Sequence, residues 1–278
     1  MSAVKKLIEE SEVRCAWIFG GGPSLPVQFG VPQSLVESVH FCEAPLSSYT
    51  PYFASVFDSL YGAMRDKFDA DSPPHKRKWI VLGVNNAYLL GLEDLGKPFV
   101  HGMFFGDRSW YKCHSNFLSS VPSNFLLMSC AKMFDSRIVK EEDRRIYYFP
   151  RSDKICGISD CIGEICWNYN SGGATIDVAY QLGAKVICLF GFDMRDCVDG
   201  LRVSHWHPAH TNWSVERKRP YSNYINALSL IAKDAVKKKV KIYVVDRFGH
   251  SKLLDFFDRI SIGNACDIAL DSVMLEKN

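Results

Sequence analysis

Long hydrophobic runs are missing from this chain: no apolar stretch in its 278 residues approaches the roughly 20 that a membrane-spanning helix needs. A charge excess is missing too. Lys and Arg number 33 against 31 Asp and Glu, a net +2, which argues against a chain built chiefly to coat nucleic acid. Apolar residues make up 47% and charged residues 23%, so the disordered, collagen-like and coiled-coil classes are excluded as well. No internal repeat or low-complexity tract is present. Residues 1–14 are charged and lack the continuous apolar core of a signal peptide. The cysteines show neither a zinc pair nor a redox C-x-x-C. Cys15, Cys42, Cys113, Cys130, Cys188 and Cys266 are scattered, and Cys156, Cys161 and Cys166 recur at even spacing. The expectation is a reduced, soluble, cytoplasmic protein that uses Cys as a small apolar residue.

What is present is alternation. Short apolar runs alternate with amphipathic stretches, the pattern of a parallel sheet covered by helices. Cys15–Phe19 reads as a first buried strand, stopped by Gly20-Gly21-Gly22-Pro23. Further strands are expected at Trp79–Val84, 98–105, Val186–Phe190 and 240–245, with weaker ones at 125–128 and 146–149. A helix is expected through about Leu182, capped by Ser171 and ended by Gly183. Helices are also expected at Tyr221–Lys238, 253–260 and 53–68. The rest of residues 26–78, with Pro26, Pro32, Pro45, Pro51, Pro73 and Pro74, reads as loop or a small lid. The chain is thus expected to be one domain, 1–278, with 26–78 as an insertion or lid.

Polar residues gather at the strand ends. The turn Gly20-Gly21-Gly22-Pro23-Ser24-Leu25 allows close backbone approach and turns amides outward, as a phosphate requires, or it is a plain tight turn. It is neither the dinucleotide fingerprint nor a P-loop. Asn85-Asn86 follows the second strand, Asp107-Arg108 the third, and Asp193 closes the strand Val186–Phe190. In an open parallel sheet, ligands bind outside these carboxyl ends. Asn170-Ser171-Gly172-Gly173 adds a helix N-terminus with a favourable dipole for anions, or an ordinary cap.

His205-Trp206-His207-Pro208-Ala209-His210 places three histidines within six positions. One of them can serve as a general base. The spacing also permits metal ligands, with Asp193 or Asp199 as a third, and a third reading has Trp206 and Pro208 anchoring a loop. Of the basic clusters, His75-Lys76-Arg77-Lys78 has no assigned role, and Lys237-Lys238-Lys239 is a solvated helix end. Arg217-Lys218-Arg219, beside Tyr221 and Tyr224, is the one better placed to meet phosphate.

These motifs together resemble the bacterial sialyltransferases that decorate lipooligosaccharide. Gly20 to Leu25 is similar to their G-N-G-P-S-L turn, with Gly21 in place of asparagine; Asn85 is similar to their C-N element. Ser171-Gly172 followed by residues 183–193 is similar to their S-G…G-x-K-x-I-x-L-x-G-x-D core. Uncharacterised phage-borne proteins with N-S-G…G-F-D-M…H-W-H, and 6-hydroxymethylpterin diphosphokinase-like proteins with G-x-G-P-S-L, share these elements. The resemblance implies an α/β, Rossmann-like fold: a mostly parallel sheet with helices on both faces and one long insertion after the first strand. It implies a transferase whose donor meets Gly20, Gly21, Gly22, Pro23, Ser24, Asn85, Asn86, Asp107, Asn170, Ser171, Gly172, Gly173 and Asp193.

The leading expectation is a nucleotide-sugar-dependent glycosyltransferase with no obligatory metal or other cofactor. His207 is the first choice of base, with His205 and His210 beside it, and Arg217, Arg219, Tyr221 and Tyr224 contact the leaving phosphate. Its partners are a nucleotide-activated sugar and a hydroxyl acceptor of open class; a hydroxymethylated pyrimidine in phage DNA is one. The alternatives are an ATP- and Mg-dependent diphosphokinase-like transferase using Asp107 and Asp193, a non-catalytic nucleotide-binding protein, and a metal-dependent hydrolase on the three histidines.

Overall fold

The computed structural model describes residues 2–64, 72–114, 120–131, 145–195, 203, 205–207, 221–249 and 251–274. Its frame is one parallel sheet. The strands are β1 (Cys15–Phe19), β2 (Trp79–Val84), β3 (Gly102–Phe105), β4 (Leu126–Ser129), β5 (Ile146–Tyr148), β6 (Val186–Phe190), β7 (Lys241–Val245) and β8 (Asp258–Ile260). They lie in the order β5-β4-β3-β2-β1-β6-β7-β8. Every neighbouring pair is parallel, so this is a Rossmann-like α/β fold.

The order reverses at β1. The chain builds outward from β1 through β5, then returns to place β6 on the other side, with Cys15 opposite Val186 and Phe19 opposite Phe190. Outside the carboxyl ends of β1 and β6 lies the switch point, the place where a crevice in an open parallel sheet takes its ligand against loops rather than a crossover helix.

Helices cover both faces, and alternate residues of β1 show the division. Trp17 and Phe19 join a core with α2 (Ser24–Gln28), α3 (Gln33–His40), α4 (Thr50–Ala63) and α9 (Ile262–Met274). Ala16 and Ile18 join the opposite core with α1 (Ala3–Glu9), α7 (Ser171–Gln181) and α8 (Tyr221–Lys238). Two short helices, α5 (Leu92–Leu95) and α6 (Arg108–His114), follow β2 and β3. Strands buried on both faces read as continuous apolar runs, which is why β1, β2 and β6 are plain in the sequence.

Four expectations need correction. Residues 26–49 are not mainly loop: α2 and α3 place Val27, Val36 and Val39 in the core, and α4 adds Phe53, Phe57 and Leu60. The helix expected at 53–68 is α4, which begins earlier at Thr50. The third strand begins at Gly102 rather than 98, because the buried His101 ring takes a strand-like role, its Nδ1 accepting from the Val81 amide at 3.0 Å. Residues 253–260 form a short 3-10 turn (Lys252–Asp255) and the edge strand β8, not a helix. Leu253 and Phe257 are buried four residues apart, a spacing that imitates a helix. The final helix is α9, which buries Ala265, Ala269 and Val273 at that same spacing. No described helix is long and apolar enough to cross a membrane.

Candidate functional site

The glycine turn is built around Asp193. Gly20 N–H donates to the Phe190 carbonyl and Gly22 N–H to the Gly191 carbonyl, both at 2.8 Å, so the turn after β1 is tied to the end of β6. Ser24, the first residue of α2, donates from its amide to Asp193 Oδ2 at 3.1 Å and from its hydroxyl to Oδ1 at 2.5 Å. Glycine is required here by space. A methyl on Gly20 would sit 2.7 Å from the Gly191 oxygen, and one on Gly22 would run into the Asp193 carboxylate. Burial raises the Asp193 carboxyl to about 6; the Ser24 bonds and the Arg195 charge oppose that shift. Pro23 supplies the N-cap backbone of α2.

Gly21 differs from its neighbours. Among the described residues a methyl there would meet only the His205 ring, 3.2 Å from Cδ2 and 3.8 Å from Nε2. The Cδ2–Nε2 edge of His205 therefore lies over this part of the turn. The Trp206 indole is buried and donates to the Gly20 carbonyl at 2.9 Å, while its own carbonyl accepts from the Tyr49 hydroxyl at 2.8 Å. His40 Nδ1 donates to the carbonyls of His205 and His207, each at 3.0 Å. Residues 205–207 are thus clamped between the glycine turn, α3 and the turn preceding α4. Trp206 acts as the anchor that one reading of the sequence assigned it.

The end of β2 supplies the third wall. Asn85 begins a 3-10 turn at φ +52°, a left-handed conformation that asparagine tolerates. Its Oδ1 is buried with no hydrogen-bond partner. Asn86 is buried, accepts from Trp110 Nε1 at 2.8 Å and faces His207 Nδ1 at 3.4 Å. The rings of His205 and His207 are 5.2 Å apart.

Helix α7 enters beside these elements. Asn170 caps it by accepting from Gly173 N–H at 2.7 Å, which leaves the first-turn amides of Ser171 and Gly172 without intrahelical acceptors. Phe192 stands between the helix and the glycine turn: methyls on Gly172 and Gly20 would fall 2.9 and 3.0 Å from its ring. Ser171 Oγ accepts from Gly106 N–H at 3.3 Å and so joins α7 to the end of β3. There Asp107 has an exposed side chain whose carboxyl is nevertheless raised, burial of its flank outweighing the opposing charge of Arg151. Arg151 lies 4.0 Å over the Trp167 ring and donates to the Gly106 carbonyl.

The structure therefore brings together Gly20 to Ser24, Asn86, Gly172, Asp193, His205 and His207, with Ser171 bridging to the strand end that carries Asp107. Tyr221 and Tyr224 occupy the first turn of α8, half-buried and edge-to-face at 6.2 Å. His210, Arg217, Arg219 and Asp199 lie outside the described residues. Among the described residues no group of three His, Cys, Asp or Glu comes together to hold a metal, and both Asp193 oxygens are engaged by Ser24. The described cysteines are free thiols.

Sequence reasoning missed His40, Tyr49, Trp110, Arg151 and Arg195. Arg195 follows Asp193 by two residues, and its Nε is buried without a partner. The only available signal was its place in the run Gly191-Phe192-Asp193-Met194-Arg195. His40 and Tyr49 carried no signal, since the fold alone brings them to residues 205–207.

No protein-family model matches the chain, and no curated protein matches it in sequence. Among solved structures, the chain is similar to the monofunctional alpha-2,3-sialyltransferase Cst-I from Campylobacter jejuni, with 14% identity and a TM-score of 0.42. The likeness covers 96% of this chain and 90% of that one.

Proposed function

We propose that the crevice between β1 and β6 binds a nucleotide-activated sugar and that the chain transfers the sugar to an acceptor hydroxyl. The observation that carries this reading is a pair of buried polar atoms without partners, Asn85 Oδ1 and Arg195 Nε. Trp17 Nε1 lacks a partner as well but lies inside the aromatic core, and Gln28 Nε2 and Asp177 Oδ1 belong to side chains whose other polar atom already accepts from backbone amides. Asn85 and Arg195 instead follow β2 and β6, the two strands that flank β1. A buried polar atom left unpaired is costly, and a ligand that supplies the partner recovers that cost on binding. Asn85 Oδ1 takes a donor such as a ribose hydroxyl or a base amine. Arg195 takes an anionic oxygen such as a phosphate. A nucleotide offers both, and the α7 amides and the glycine turn add donors of the kind that phosphate favours.

In the transfer, the acceptor oxygen attacks the anomeric carbon and its proton passes to a histidine of the 205–210 run. The bond from the anomeric carbon to the phosphate oxygen breaks, its electron pair leaving with the nucleotide. Arg195, together with Arg217, Arg219, Tyr221 and Tyr224, stabilises that charge. A hydroxymethylated pyrimidine in DNA is one acceptor of this class. His40 and Tyr49 bond to the carbonyls of His205 and Trp206, and on this reading they form an acceptor-side wall beside the histidines.

The test is a thermal-shift screen against CMP, CDP, UDP, GDP and ATP, with and without EDTA. Stabilisation by a pyrimidine nucleotide that EDTA leaves unchanged is the expected result. A requirement for ATP with Mg²⁺ would point to diphosphoryl transfer instead, and no shift with any nucleotide would remove the reading.

A further inference from the structure

Trp110, Asn86 and His207 form a chain of hydrogen bonds whose directions are determined by chemistry. An indole nitrogen only donates. Trp110 Nε1, 2.8 Å from the Asn86 side chain, therefore faces its carbonyl oxygen, which settles the amide orientation. The amide nitrogen is then the group facing His207 Nδ1 at 3.4 Å, and it can only donate. His207 Nδ1 must accept, so it carries no proton, and in the neutral ring the proton resides on Nε2.

The surroundings hold this arrangement in place. His207 is 4% exposed, its carbonyl accepts from His40, and Trp206 packs edge-on against its ring at 4.8 Å. Trp110 is buried and stacked on His114 at 4.7 Å, so the donor that orients Asn86 is itself held. The His205 ring lies 5.2 Å from the His207 ring, centroid to centroid. His205 is less buried than His207 and presents its Cδ2–Nε2 edge to Gly21.

We propose that His207 is a fixed hydrogen-bond donor, held as the Nε2–H tautomer by Asn86 and Trp110, and that His205 takes the acceptor proton. A base needs an accessible nitrogen lone pair at the reacting proton, and in the Nε2–H tautomer of His207 the one in-plane lone pair, on Nδ1, already accepts from Asn86. A neutral imidazole that donates to an oxygen gaining negative charge is the other established use of this side chain. Asn86 and Trp110 are positioning residues. The role of His205 rests on the transferase reading; the tautomer of His207 does not.

The test is imidazole ¹H–¹⁵N correlation on the ¹⁵N-histidine-labelled full chain at pH 7, with His207 assigned by loss of its signals in His207→Gln. The expected signature is an unprotonated Nδ1 and a protonated Nε2. Asn86→Asp, which replaces the donor with an acceptor, should move the proton to Nδ1. Trp110→Phe, which frees the amide to turn over, should give a mixture. A protonated Nδ1 in the wild-type chain overturns the proposal. So does an unchanged His207 pattern in both variants when their melting transitions show them folded.

With a nucleotide sugar selected by thermal shift, His207→Gln keeps an N–H donor and should retain turnover within about tenfold. His205→Gln should lose roughly 10²- to 10⁴-fold, the usual worth of a general base. The reverse order returns the base to His207 and overturns the assignment. If no nucleotide sugar turns over, the transferase reading falls and takes the role of His205 with it, while the nitrogen shifts still decide His207.

Discussion

The Trp206 indole donates to the Gly20 carbonyl across the crevice at 2.9 Å, so the loop that carries the histidines is fastened to the turn proposed to hold the donor. Both groups are buried, and water cannot replace the bond. Trp206→Phe leaves the Gly20 oxygen without this donor, at a cost of about 1–3 kcal/mol. Urea denaturation should show that loss, and nucleotide-induced stabilisation should fall with it. A Trp206→Phe protein with wild-type stability would mean the anchor is not formed.

Gly21 and Gly22 are neighbours with opposite tolerance. A methyl on Gly22 collides with the Asp193 carboxylate and lies 2.6 Å from the Gly191 oxygen, which is backbone that cannot move aside. Gly22→Ala should destabilise the chain by about 1–3 kcal/mol or more. Among the described residues Gly21→Ala meets only the His205 ring, so its melting temperature should stay near wild type while turnover drops. Equal destabilisation by the two substitutions contradicts this division.

Asn85 and Arg195 can be tested on binding without disturbing the core. Asn85 has φ +52°, which glycine adopts freely, so Asn85→Gly removes the buried acceptor without backbone strain. Nucleotide affinity should fall roughly tenfold, about 1.4 kcal/mol, at nearly constant stability. Arg195→Lys should not restore what Arg195→Ala loses, because an ammonium lacks the guanidinium's paired donors. Calorimetric titration reads both effects.

Asp177 sets a pH slope on stability. It lies in α7, fully buried, with Oδ2 accepting from the Ser159 and Cys166 amides while Oδ1 has no partner. Burial pushes its carboxyl up to about 7, against 3.8 unperturbed; the two amide bonds only moderate the rise. The folded chain thus holds a proton on Asp177 between about pH 4 and 7 that the unfolded chain releases, so this group's contribution to stability falls as pH rises through that window. His101, lowered well below its usual value by burial, acts in the opposite direction. Asp193, raised to about 6, contributes in the same direction as Asp177. Asp177→Asn should flatten part of the decline, at most about 1.4 kcal/mol per unit of pH. Unfolding midpoints at pH 4.5, 6 and 7.5 decide it. A slope identical to wild type would falsify the assignment.

Much of the fold was legible because parallel strands buried on both faces leave an unmistakable mark. β1, β2 and β6 are unbroken apolar runs, each halted by Gly or Asn. Where burial is one-sided or the element is short, the mark fades. Edge strand β8, with Asp258 and Arg259 exposed, was indistinguishable from the end of a helix, and α2 and α3 were hidden among prolines.

The strand ends, the glycine turn and the histidine run were readable because each is a local pattern, determined by backbone sterics and residue type over a few positions. Their partners were not. His40 and Tyr49 reach the run from 165 and 157 positions away, and Asn86 meets His207 across 121. Such contacts exist only once the sheet has ordered its strands and packed its helices. The sequence could therefore name three histidines and put His207 first, but it could not show which ring nitrogen is already engaged. The direction of one hydrogen bond, from Trp110 to Asn86, is what the proposed division between donor and base rests on, and only the folded chain contains it.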